Sequence, residues 1–160
     1  MTASLLHPAL PLFAGAVLTV FFGKKAGGVV SLAAALTALW AVSLLPVGGA
    51  ASLSLPAAGV TLVFFRADRQ ATLFAWIFTQ SASLSCLYAF GRQSAVERAA
   101  TLAYAGAALG AVFAGDMVTL YVFWEVMALA AVFVVLAGGT KKSRAAAFRY
   151  ALVHLFAGVS

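Results

Sequence analysis

The chain has 160 residues, of which 64% are hydrophobic and 9% charged, and its mean hydropathy is +1.06. A soluble domain of this length cannot bury that much apolar surface, so the expected class is an all-α integral membrane protein. The net charge of +6 comes from ten Lys and Arg scattered in short clusters between apolar runs, which is membrane-orienting charge and not a nucleic-acid-binding face.

Other classes fall away on composition too. The single Cys86 excludes an intrachain disulfide. No metal-ligand cluster, Gly-rich phosphate loop or nucleophile elbow is legible, so neither a cofactor nor a metal is indicated. The first apolar run has no Lys or Arg before Lys24, the reverse of a signal peptide's charge order, so it is expected to be a retained span with its N-terminus outside.

In chain order, a single domain over residues 1–160 with about six transmembrane helices is expected. The first span runs over about residues 5–23, with Pro8 and Pro11 near its outer end, where a missing N–H costs nothing. His7 lies at that outer end and is expected at the interface. The second span covers about 26–45 and stops at Pro46, before Val47, Gly48 and Gly49. Residues 50–66 read as a short extramembrane β-hairpin between helices 2 and 3. Ser52 to Leu55 alternate, Pro56 to Gly59 supply a turn, and Val60 to Phe65 are mostly β-branched or aromatic.

The third span is expected over about 71–90, with Thr72, Gln80 and Ser83 near one face looking into protein. The fourth covers about 99–114, where Gly106 and Gly110 form a small-xxx-small pattern that lets another helix approach closely. The fifth covers about 117–138 and the sixth begins near 145. From there to Ser160 a helix reaches only about 24 Å, short of the roughly 30 Å hydrocarbon core, so the chain reads as a piece of a longer protein.

The basic residues orient this arrangement. With the N-terminus outside, the inner loops carry Lys24, Lys25, Arg92, Arg98, Lys141, Lys142 and Arg144, against Arg66 and Arg69 outside.

Glu125, in the middle of the fifth span, costs about 2.5 kcal/mol or more to insert at that depth, which makes it a functional-site candidate by default. Asp116 lies at the outer junction of spans four and five. It reads either as a helix N-terminal carboxylate or as part of a proton exit. His154 enters the sixth span from the inside and, because spans five and six are antiparallel and joined by a short loop, should sit level with Glu125. A carboxylate and an imidazole at one depth form a candidate proton path. Tyr121 and Trp124 flank Glu125 and read as packing residues, and Arg149 as a side chain reaching back to the inner headgroups.

The run from Ala114 to Met127, with Gly115-Asp116 at its start and Phe123-Trp124-Glu125 within it, resembles the glutamate-bearing fifth helix of the proton-conducting antiporter-like membrane subunits. That family includes the large membrane subunits of respiratory complex I, the membrane-bound hydrogenases and the Mrp-type multisubunit sodium/proton antiporters, and the wording is most similar to the Mrp-type members. Ala145 to Leu155, with Phe148, Tyr150 and His154, resembles the family's next helix. The resemblance is carried by residues 99–160. It implies a plasma-membrane subunit of a multisubunit cation/proton antiporter or a related proton-pumping oxidoreductase, with protons, and in some members Na+, as the transported ions. Its partners would be the lipid bilayer and other membrane subunits. It also implies that Glu125 pairs with a lysine on a seventh helix, which the chain does not contain. The competing expectation is a non-transporting scaffold or assembly protein with the same half-fold.

Overall fold

The computed structural model describes residues 7–45, 51–57 and 60–159, and the expectations for Leu5, the Pro46–Gly49 stop, the hairpin tip at Gly59 and Ser160 lie outside the described residues. Helices dominate. In order they are α1 (Leu10–Leu18, extended by a 3-10 turn over Thr19–Phe21), α2 (Lys24–Ser43), α3 (Arg69–Tyr88), α4 (Ala95–Phe113), α5 (Met117–Leu136) and α6 (Lys141–Val159). Between α2 and α3 lies the antiparallel pair β1 (Ala51–Ala57) and β2 (Val60–Ala67). The expected hairpin is therefore present, with one change: Pro56 pairs with Thr61 inside the ladder instead of starting the turn.

Capping sets most of the helix boundaries. Asp68 caps α3 by accepting the Ala71 N–H. Ser94 and Glu97 close a capping box on α4, each side chain bonded to the other's backbone, so α4 begins at Ala95 and not near Ala99. The first helix begins at Leu10, behind Pro8 and Ala9, so His7 precedes it. Gly91 and Gly139, at φ of 70° and 68°, take the left-handed conformation just after α3 and α5 and turn the chain back at each point.

The helices run up and down, and small residues allow them to pack closely. On α2, Ala34, Ala35 and Ala38 are buried, and on α3 the buried line is Ala71, Ala75, Thr79, Ser83 and Cys86. That line corrects the expected polar face of α3: Ser83 is buried, Thr72 is only half-buried and Gln80 is exposed. The physical reason is the four-residue repeat of small side chains, which decides which stripe a neighbouring helix can approach.

The α1–α4 and α4–α5 contacts use glycine notches. Gly106 faces Leu12 and Phe13 of α1, and the Phe123 ring of α5 sits against Gly110, where a Cβ would collide with it. At the hairpin end, Phe65 and Phe113, at 1% and 0% exposure, pack with ring centroids 4.9 Å apart and tie β2 to α4.

Many large apolar side chains remain exposed, among them Trp40, Leu73, Trp124, Leu129, Phe148 and Phe156. Among the described residues two helices, α2 and α5, are long and apolar enough to cross a membrane, with mean hydropathies of 1.7 and 2.2, while α1 with its 3-10 turn is a shorter apolar helix.

Candidate functional site

The site is built by the turn between α5 and α6. Gly139 breaks α5, and Thr140 and Ser143 then cap α6 reciprocally, each side chain accepting the other's backbone N–H at 3.0 Å. Glu125 and His154 stand almost equally far in sequence from Gly139, so an antiparallel return brings them to one level. His154 Nε2 lies 3.4 Å from Glu125 Oε1.

The contact is close but not directional. Nε2 is enclosed and makes no hydrogen bond, so the 3.4 Å approach is a juxtaposition of acid and base without hydrogen-bond angles. The imidazole side chain is 23% exposed and the carboxylate 36%, so the pair has a covered and an open side. Tyr150, one turn earlier on α6, lies parallel to the imidazole, with ring centroids 6.2 Å apart and planes 5° apart. Tyr121, one turn earlier on α5, is exposed. Chemically, the arrangement can hold a proton between carboxylate and imidazole or exchange it with whatever reaches the open side. Arg149 is exposed on α6.

Asp116 sits elsewhere. It caps α5, accepting the Thr119 N–H at 2.9 Å and the Thr119 hydroxyl at 2.6 Å, and its Oδ2 also accepts the Val63 N–H at 2.7 Å. The Thr119 hydrogen bonds, with the backbone bond from Val63, hold this carboxyl below its ordinary range. Of the two sequence readings, the cap describes its geometry, with a second task in docking the hairpin.

One residue was misjudged from sequence alone. Arg98, counted among the loop charges, is 2% exposed inside the bundle. Its Nε donates to Thr19 Oγ1 (2.9 Å), Nη1 to the Gln93 carbonyl (2.8 Å), and Nη2 to the carbonyls of Phe22 (3.0 Å) and Thr19 (3.4 Å). The guanidinium thus satisfies the C-terminal carbonyls of the first helix, where a cation also suits the helix dipole. The signal was available: the Ser94–Glu97 capping box puts Arg98 in the first turn of a helix. His7, expected at the interface, has its ring within 6 Å of Phe65, Phe113 and Phe123.

An open cleft of about 720 Å³ between α3, α4 and α5 is lined by Ser81, Ser85, Thr101, Tyr104 and Met127 among others, and neither Glu125 nor His154 lines it. Among the described residues no group of three or more His, Cys, Asp or Glu could hold a metal ion.

No protein-family model and no curated protein matches this chain.

Proposed function

We propose that this chain is a membrane subunit of a cation/proton-translocating complex in which Glu125 and His154 hold and pass a proton. The observation that carries the reading is the 3.4 Å approach of Nε2 to Oε1 on two antiparallel helices. An acid in the most apolar helix, with a base so placed against it, is costly to retain for packing alone.

Several features support the membrane setting. Only 17% of the most apolar window of α5 is buried, unlike the core helix of a soluble domain, and its exposed surface is Val118, Val122, Trp124, Leu129 and Phe133. Lys24, Lys25, Arg92, Lys141, Lys142 and Arg144 gather at the end opposite the hairpin, which carries Arg66 and Arg69, so the positive-inside rule puts the hairpin outside. Moving Arg98 into the bundle lowers the inner count without reversing the bias. The six expected spans correspond to the six helices in this reading, though among the described residues α2 and α5 alone pass on length and apolarity. The resemblance of residues 99–160 to antiporter-like subunits points the same way.

The test is Glu125→Gln in the assembled complex, read as cation-dependent collapse of a pH gradient in membrane vesicles. Loss of about a hundredfold or more in proton-coupled flux is expected when a positioned proton carrier is removed. Full flux in the variant would overturn the assignment and favour the scaffold reading, which draws its own support from the broad exposed apolar surface of α5 and α6.

A further inference from the structure

At the hairpin end a half-buried histidine has an enclosed ring nitrogen and, among the described residues, no partner for a charge. His7 Nδ1 accepts the N–H of Ala9, the N-cap residue of α1, at 3.1 Å, so a neutral ring carries its proton on Nε2. Nε2 is enclosed without a hydrogen bond. Its polar neighbour is the backbone of Phe64, at a geometry short of one.

Three elements meet on this ring. Phe65 of β2 and Phe113 of α4 approach edge-on at 5.3 and 5.7 Å, and Phe123 of α5 lies tilted at 5.9 Å. The ionisable groups of those elements are Arg66 on β2, Glu97, Arg98 and Tyr104 on α4, and Tyr121 and Glu125 on α5, with Asp116 capping it. Among the described residues none makes a hydrogen bond or ion pair to His7, and α1 itself carries no ionisable group. Beside the ring the hairpin is docked by two bonds, Gly115 N–H to the Val63 carbonyl (2.9 Å) and Val63 N–H to Asp116 (2.7 Å).

A second proton on His7 has to take Nδ1 away from Ala9 and leave a cation among phenyl rings with no counter-charge among the described residues. We propose that His7 is an acid-sensitive pin: neutral, it holds β2 against the α4–α5 junction, and protonated, it leaves the aromatic nest and lets the hairpin lift from Gly115 and Asp116.

The energetics run in the same direction. His7 lies before α1, level with the hairpin and outside the helices, and burial pushes its pKa down from 6.5 to about 4. A histidine depressed in the folded state contributes stability that is complete above pH 6.5 and is lost as pH falls towards 4. Asp116 is not the responsive group there, because its hydrogen bonds keep it ionised to lower pH than an ordinary carboxylate.

The test is amide hydrogen exchange at Val63 and Gly115 in the full chain in lipid nanodiscs, at pH 7.5 and pH 5, corrected for intrinsic rates. The opening equilibrium of both amides is expected to rise about thirtyfold at pH 5, the factor set by protonation of the released but not the docked imidazole. Its midpoint should follow the carbon-13 titration of the His7 ring, assigned in a His154→Gln background. His7→Phe, which keeps an aromatic ring but cannot titrate, should show no such rise. Wild-type protection that is flat with pH, a midpoint unrelated to His7, or the same rise in His7→Phe would each overturn the proposal.

Discussion

Asp116 and Val63 hold one another across 53 residues of chain: the carboxylate takes the Val63 N–H at 2.7 Å while the adjoining Gly115 N–H donates to the Val63 carbonyl at 2.9 Å. The ladder irregularity between Leu53 and Ser54 leaves Phe64 unpaired and so lets Val63 turn its backbone groups to the helix junction. One side chain thus caps the helix that carries Glu125 and fastens the hairpin to it.

Asp116→Ala should therefore loosen two elements together. Exchange protection should fall at Val63 and at Thr119 in parallel, while the amides of α2 stay unchanged. Because the folded carboxyl is depressed, its contribution is present above the ordinary Asp pKa and lost only as pH falls through and below it. The wild-type and Asp116→Ala difference should accordingly be flat from pH 5 to pH 8, which a thermal-melt series checks.

Arg98→Met should be strongly destabilising despite its similar reach. It removes the guanidinium donors to Thr19 Oγ1 and to the carbonyls of Thr19, Phe22 and Gln93, a loss on the order of 3 kcal/mol for hydrogen bonds to a charged group. Arg98→Lys should recover part of it, since an ammonium reaches fewer of these acceptors at once. Denaturation midpoints of the three proteins rank the effect.

Gly110→Ala should force the Phe123 ring out of its notch, at a cost of about 1–3 kcal/mol for overpacking. The double variant Gly110→Ala with Phe123→Leu should regain part of that loss, because the smaller side chain frees space beside residue 110. A stability cycle over the four proteins measures the coupling.

Glu125→Gln and His154→Gln should be non-additive in transport. If the two groups hold one proton, the second substitution should add little to the flux lost with the first. Multiplying losses in the double variant would mean that each acts by itself.

Much of the fold was legible because its signals are local. Runs of apolar residues separated by charge marked the helices, the alternation of Ser52 to Leu55 beside β-branched and aromatic residues marked the hairpin, and the short link at Gly138-Gly139 implied antiparallel neighbours. Equal sequence distance from that link was enough to expect Glu125 and His154 at one depth. The misreadings share one cause. Thr72 and Gln80 on α3 and Arg98 were assigned by polarity, whereas their environment depends on which neighbouring element reaches them.

By itself, then, the sequence determined the helical architecture, the hairpin and the position of the one carboxylate midway along its most apolar helix, because periodicity, capping residues and hydropathy act within a few turns of chain. Only the tertiary structure decided that Arg98 closes the end of the first helix, that Asp116 fastens the hairpin, and that His7 is enclosed by three phenylalanines. Each of these depends on groups distant in sequence: Arg98 reaches Thr19 across 79 residues, and Asp116 reaches Val63 across 53. Close packing of small residues brings them together, and no local pattern encodes which polar group then finds which partner.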